Sequence, residues 1–180
     1  IGGYVKAPVN GKHKWVVSFD LNSLYPNLII QYNMSPETLI NKIEQNYNTD
    51  DLLEQKIPNT SSNIIAANGV HFSRNQRGFI PTLVQNLYDE RVKIKGEMIS
   101  LKKLKDNKHD LKISQLENQQ TAIKLLMNSL YGAMGNVGFR YFDYRIASAI
   151  TLSGQLAIKW AEKTINQYFN KVLKTDKDYV

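Results

Sequence analysis

From Pro81 onward the apolar residues change period, and that change constrains the fold more than any other feature of the chain. Val84, Leu87, Ile94, Met98 and Leu101 recur at helical spacing up to about Lys105, and Pro81 is acceptable in a first helical turn. A polar turn, DNKHD at 106–110, interrupts the pattern. A second stripe then runs through Ile113, Leu116, Ile123, Met127 and Leu130 into YGAMGNVG, whose glycines stop a helix. Two amphipathic helices of about 25 and 20 residues on so short a connection have one arrangement open to them, an antiparallel hairpin.

That hairpin carries an unusual charge pattern. With the turn centred on residue 108, Arg91 lies seventeen residues before it and Lys124 sixteen after it. At about 1.5 Å per residue the two stand at nearly the same height, roughly 25 Å from the turn. Lys95 is one turn from Arg91 on an overlapping face, so three cations are expected to converge at the base of the hairpin. Arg91 also takes a slot that the stripe 84, 87, 94, 98 would otherwise give to an apolar side chain. A triphosphate calls for such a group, with fork-shaped Arg donors and point-charge Lys donors spread over several oxygens. A solvated basic face is the commoner meaning of these residue types, and spacing by itself leaves that reading open. Along the second helix, Lys124, Asn128 and Tyr131 share a face at i, i+4 and i+7, which suits a nucleotide lying along it; Tyr131 as core and Asn128 as a cap is the plainer reading. Gly132 and Gly135 would let another backbone or a base pair approach closely.

The N-terminal half reads differently. IGGYVKAPVNGKHK is an extended approach to WVVSFD, an apolar run that suits a buried strand and ends on one carboxylate, Asp20. A short helix is expected within NSLYPNLIIQYN, and a turn or helix start at Ser35-Pro36-Glu37. A carboxylate at the end of a buried strand is well placed for Mg²⁺, a hard cation that takes oxygen ligands. The backbone N–H groups from Asn22 to Leu24, opening a short helix, can receive phosphate oxygens. Tyr25 precedes Pro26, which restricts its backbone and fixes the direction of its ring. Taken alone, an Asp-x-x-Ser more often caps a turn. Residues 41–62 are polar and Asn-rich and read as a loop, whereas NIIAANGVHFSR reads as a hairpin turning at Asn68-Gly69. After FRYFDYR a last helical pattern runs from Ile146 to roughly Leu173, with Ala, Ile, Leu and Trp160 on one side.

Composition sets the remaining bounds. Of 180 residues, 42% are hydrophobic and 22% charged, an ordinary globular balance with no membrane-spanning run. With no cysteine, thiolate metal sites are excluded, and only His13, His71 and His109 offer imidazole. The net charge of +7 favours a polyanionic partner such as nucleic acid.

Two stretches then decide among these readings. DLNSLYPNLI (Asp20 to Ile29) resembles the first palm motif of family B DNA polymerases, D-x-x-S-L-Y-P. KLLMNSLYG (Lys124 to Gly132) resembles their fingers motif, K-x-x-x-N-S-x-Y-G, and ends a predicted helix. GNVGFRYFDYRIASAITLSGQ is similar to the same family, particularly its T-even-type bacteriophage branch. The resemblance covers most of the chain, least clearly at 41–62.

The resemblance implies an α+β fold: a palm portion of antiparallel strands with packed helices, bearing the two-helix fingers hairpin. It divides the chain into the first part of the palm (1–80), the fingers (81–133) and a continuation of the palm (134–180). Asp20 would ligate both catalytic Mg²⁺ ions and Leu21 would lend a carbonyl to the nucleotide-bound one. Ser23 and Leu24 would contact triphosphate oxygens, and Tyr25 would be the steric gate against a 2′-hydroxyl. Arg91 and Lys124 would bind the triphosphate, with Lys95 and Asn128 as further contacts. Tyr131, with Gly132, would check the nascent base pair from the minor groove. The implied activity is template-directed addition of a dNTP to a primer 3′-hydroxyl. Its partners would be primer-template DNA and, in the parent protein, a sliding clamp and replisome proteins, in the cytoplasm of an infected bacterium.

The sequence departs from the family in three respects. The second carboxylate motif, Tyr-Gly-Asp-Thr-Asp-Ser, does not occur in it, and Asp176 and Asp178 lie in a Lys-rich stretch that reads as a solvated loop. The expectation is therefore an inactive piece of a longer polymerase, with that motif just beyond Val180 in the parent. Proofreading and thumb regions have no counterpart, and Asn27 stands where the family usually has a small residue. A non-catalytic nucleic-acid-binding module and a structural polymerase relic are the alternatives.

Overall fold

The computed structural model describes residues 2–14, 16–40, 49–54, 62–104, 106–172 and 175. It is α+β, with a small antiparallel sheet packed among long helices. In chain order these are α1 (Leu24–Gln31), β1 (Leu39–Ile40), α2 (Thr49–Leu53), β2 (Asn63–Ile65), β3 (His71–Ser73), α3 (Phe79–Lys103), α4 (Asp110–Met134) and α5 (Tyr144–Gln167), which widens into a π turn over Tyr168–Val172. Single turns of 3₁₀ helix occupy Pro36–Thr38 and Asn107–His109.

The hairpin expected at Asn68-Gly69 forms. β2 and β3 pair antiparallel with Ile64 opposite Phe72, and β1 joins the far edge of β3 to give the order β1-β3-β2. Gly69 takes φ 79°, the left-handed conformation the turn demands and glycine adopts without strain. The Asn68 amide reaches across to the Arg145 carbonyl at 2.9 Å and ties the turn to the start of α5. Phe72 of β3 is fully buried in one core with Ile29 of α1, Ile80 and Val84 of α3, Met127 and Met134 of α4, and Ile146 and Ile150 of α5. The core is thus assembled from all the long elements, and it fixes where α1 sits against the helical hairpin.

The two helical stripes become α3 and α4, both of 25 residues. Val84, Met98, Leu116 and Met127 are buried along their contact, and Leu87, Ile94, Leu101, Ile113, Ile123 and Leu130 are half-buried. Exposed ion pairs Lys102–Glu117 and Glu97–Lys112 cross between the helices, in the register that sets Arg91 level with Lys124. The second helix runs straight through Gly132 and stops at Gly135.

The start of α3 is capped from a distance. Its N-cap, Gly78, supplies no side chain, and a Cβ there would lie 2.6 Å from that of Ser35, closer than real atoms approach. The Asn33 side chain accepts from the Gly78 N–H at 2.8 Å and donates to the Ser73 and Gln76 carbonyls, also at 2.8 Å. Glu37 accepts from the Phe79 N–H and from the Ser35 hydroxyl. A carboxylate at a helix N-terminus is favoured by the macrodipole. Burial pushes the Glu37 carboxyl upward, but those two hydrogen bonds outweigh it and leave it below its ordinary range. At α5 the cap is local: Asp143 accepts from the Arg145 N–H at 2.8 Å, and the Arg145 guanidinium grips the same carboxylate at 2.7 and 3.0 Å.

Two expectations need correction. WVVSFD is not a buried strand: the described residues of this run, 16–20, are not in a strand, and Val16, Val17 and Phe19 are 79, 69 and 65% exposed. A strand is stable only when a neighbour receives its backbone hydrogen bonds, and among the described residues no strand pairs with this run. Nor is 41–62 wholly a loop. Thr49–Leu53 form α2, packed on α5 and held there by Lys159, whose ammonium reaches Thr49 Oγ1 at 3.1 Å and Asp50 at 2.9 Å. Residues 41–48 and 55–61 fall outside the described residues. The predicted last helix is present, but Trp160 on it is 60% exposed.

Candidate active-site cleft

A cleft of about 490 Å³ opens where the base of the α3–α4 hairpin faces the start of α1. It is lined by Asp20, Leu21, Asn22, Ser23, Leu24, Tyr25 and Pro26 on one side and by Arg91, Lys124 and Asn128 on the other. Two stretches more than sixty residues apart in sequence thus face one space.

The acidic side is built by a sharp turn. Ser23, the N-cap of α1, sits at φ 54°, ψ 44°, a left-handed conformation that costs a non-glycine residue about 1–2 kcal/mol. Its hydroxyl is turned to the Asn22 side chain at 3.2 Å and gives the helix no side-chain cap. The Asn27 amide instead holds the turn, donating to the Asn22 and Ser23 carbonyls at 3.1 Å each. The residue that departs from the family pattern therefore has a structural task here. The first N–H groups of α1 have no side-chain cap and border the cleft, and one of the orphan donors is removed outright by Pro26. Asp20 is exposed at the rim and makes no ion pair among the described residues.

The basic side is built into the core. Arg91 is 9% exposed, and its Nε is buried without a hydrogen-bond partner in the structure. An unpaired buried donor costs about 1–3 kcal/mol, so it marks either stored strain or a position kept for a ligand. Lys124 and Asn128 are exposed into the same cleft.

Lys95 does not join this group. It is exposed and lines no part of the cleft. Four residues carry a helical side chain about 6 Å along the axis and about 40° around it, enough to move Lys95 past the cleft mouth towards the hairpin tip. Tyr131 is also off the lining, yet its ring packs on that of Tyr25 with centroids 4.6 Å apart and planes at 46°. Burial, then the neighbouring Tyr25, pushes the Tyr131 phenol above its ordinary range. Gly132 is exposed, and a Cβ there would meet nothing within 4 Å, so its backbone is open to approach. The sequence offers Asn22 only through its backbone N–H and Pro26 only as the restraint on Tyr25. Both border the cleft because they flank a turn already assigned to it.

As a metal site the donor set is partial. Asp20 and nearby carbonyls suit an oxygen-preferring divalent cation, but the described residues contain no cluster of three or more His, Cys, Asp or Glu that could hold one.

Residues 1–179 match DNA polymerase family B. The chain belongs to that family. It is 31% identical over 222 aligned residues to the DNA-directed DNA polymerase of Escherichia phage RB69, covering 97% of this chain and 24% of the relative. For the DNA-directed DNA polymerase of Enterobacteria phage T4 the figures are 29% over 226 residues, 99% and 25%. The DNA polymerase of Pyrococcus glycovorans is 34% identical over 178 residues, covering 98% of this chain and 20% of its own length. The chain therefore spans about a quarter or less of these relatives. In fold it is similar to the family B DNA polymerase of the archaeon Pyrobaculum calidifontis, with a TM-score of 0.62 and 24% identity over 81% of this chain and 17% of that one. No helix among the described residues is long and apolar enough to cross a membrane.

Proposed function

We propose that the chain forms the nucleotide-binding half of the polymerase centre of a viral replicative enzyme, with 1–80 and 134–180 as palm and 81–133 as fingers. The observation that carries this is the shared cleft: one acid, two cations, an amide and uncapped helix N–H groups face a common space, and the buried cation keeps an unpaired donor.

The incoming dNTP lies with its triphosphate between Arg91 and Lys124 and the N–H groups of Ser23 and Leu24. Arg91 offers a planar fork held rigidly by burial, while Lys124 is an adjustable point charge. Asn128 adds a neutral hydrogen-bonding contact one turn beyond Lys124. The Tyr25 ring lies against the deoxyribose and leaves no room for a 2′-hydroxyl. Tyr131 and Gly132, behind it, meet the minor-groove edge of the new base pair. Asp20 and the Leu21 carbonyl are the chain's own oxygens for Mg²⁺. Two such ions, when bound, stabilise the attacking and leaving oxygens. The reaction is displacement at the α-phosphorus: the primer 3′-hydroxyl loses its proton to solvent as its oxygen bonds to phosphorus, the bond to the bridging oxygen breaks, and pyrophosphate leaves with that electron pair. As negative charge builds on pyrophosphate, Arg91 and Lys124 are the groups already placed to receive it. One carboxylate is short of what two ions need, so residues 1–180 alone do not polymerise; the second carboxylate motif comes from elsewhere in the parent chain. The partners of that parent are primer-template DNA and replisome proteins, including a sliding clamp.

The test is Lys124→Ala in the polymerase that carries this chain. Its kcat/KM for dNTP should fall about 100-fold, while the Kd for primer-template changes less than about threefold. Equal loss of both would contradict the triphosphate assignment.

A further inference from the structure

Helix α5 contains a glycine at position 154, ten residues past its first residue. An interior helical glycine is about 1 kcal/mol less favourable than alanine, so it calls for a reason in space. The reason is Tyr25. A Cβ built on Gly154 would lie 2.7 Å from Tyr25 Cε1 and 3.4 Å from Cδ1, with Leu28 Cδ1 next at 3.7 Å. The first distance is shorter than real Cβ contacts, and the obstacle is the ring itself, not the backbone of α1. On another side the same ring meets Tyr131 at 4.6 Å, and near its hydroxyl runs Gly3, whose Cβ would touch Oη at 3.5 Å. The Gln155 side chain donates to the Gly2 carbonyl at 2.7 Å and ties that segment to α5. Pro26 restrains the Tyr25 backbone. With the backbone fixed, a ring refused its seat on α5 has to turn towards the cleft it lines.

We propose that Gly154 is a positioning residue for the Tyr25 ring: the empty space at its α-carbon sets how far that ring stands back from the bound nucleotide's sugar. This rests on Tyr25 being the sugar gate. It assigns Gly154 no contact with substrate. It makes the depth of the sugar pocket a property of α5, far along the chain from the motif that supplies the ring.

The experiment is a double-mutant cycle on the whole polymerase, measuring single-nucleotide incorporation of dNTP and the matching ribonucleotide. Gly154→Ala moves the ring by a few tenths of an ångström to 1 Å, so the KM for dNTP should rise about tenfold with kcat changing less than about twofold. In a Tyr25→Ala background the same substitution should change KM less than about twofold, because no ring remains to displace. A similar KM change in both backgrounds would mean that Gly154 serves helix packing and would overturn the proposal, as would an unchanged KM in the Tyr25 enzyme. Tyr25→Ala alone separates the two layers. If it admits ribonucleotides while Gly154→Ala does nothing, only the role of Gly154 falls. If it leaves sugar choice unchanged, the gate and its seat fall together. Ala restores helix propensity at 154, so folding is checked by the thermal midpoint, which should not drop by more than the clash itself explains.

Discussion

Arg91→Met should make the protein more stable and the enzyme worse. The side chain is nine-tenths buried between α3 and the start of α1, its Nε has no partner, and its stem packs where the helical stripe would place an apolar residue. Methionine keeps most of that stem and removes the donor. The gain is the penalty of one unsatisfied buried donor, about 1–3 kcal/mol, less some mismatch in packing, so about 1–2 kcal/mol is expected. For a unit of this size that corresponds to a rise of roughly 2–8 °C in Tm. In nucleotide use the sign reverses: kcat/KM for dNTP should fall by about 10²–10³, or about 2.7–4 kcal/mol. The assays are thermal unfolding of the chain, alone and within the polymerase, and steady-state incorporation on a primed template. A ligand control sharpens them. At one fixed triphosphate concentration the Tm should rise more for the Arg91 protein than for Arg91→Met, because the variant's weaker affinity contributes less binding free energy to the folded state. A fall in Tm on Arg91→Met would show that the guanidinium is already satisfied and structural, and the reasoning from its unpaired donor would be refuted.

Two further expectations concern the scaffold. Asp143→Ala should destabilise the start of α5 by about 1 kcal/mol, the ordinary worth of an N-cap. The Arg145 guanidinium holds the Asp143 carboxyl below its usual range, so its contribution is present above the unfolded value near 3.9 and lost as pH falls through the lower folded value. Unfolding midpoints followed from pH 6 to pH 2 should therefore converge for wild type and variant at the acid end; a constant gap down to pH 2 would rule the linkage out. Gly78→Ala should cost about 1–3 kcal/mol, because its methyl would enter the space of the fully buried Ser35, and a neutral result in urea denaturation would show that this contact can relax.

What the sequence disclosed depended on how local the signal was. The hairpin was legible because 3.6-residue periodicity and a short polar turn are properties of neighbouring residues, and its register followed from counting. The Asn68-Gly69 turn was legible for the same reason. WVVSFD misled because an apolar run states a wish for burial without saying whether a partner strand is at hand; the described residues provide none. Helix α2 was hidden because five residues, three polar and two leucines (Thr49–Leu53), are too few to carry a periodicity, and what orders them is a distant Lys159. The site followed the same rule. Arg91, Lys124 and Asn128 could be set together by helix arithmetic, but the same arithmetic over-reached at Lys95, since overlapping faces do not share one cleft. Gly154 had no signal at all: nothing near it in sequence announces that a tyrosine ring needs the space 129 residues earlier in the chain.

The two halves of the cleft also differ in rigidity, and that difference bears on how it would work. Arg91 rises from a helix whose neighbours Val84 and Ile80 are fully buried, and whose start is clamped by Asn33, Ser35 and Glu37. Asp20 stands at the end of an exposed extension outside the sheet, and the Asn27 amide holds the backbone only from Asn22 onward. Opening free energy follows buried contacts, so the cationic side should exchange its amides at the slow limit of the protein and residues 16–22 near the fast one. A nucleotide binding between them would meet preformed phosphate donors and an acid still to be fixed. Order would then be gained at the carboxylate. That is where a developing reaction centre has most use for it, since a group held 1 Å out of place there can cost 10²-fold in rate, according to the general sensitivity of transfer reactions to alignment.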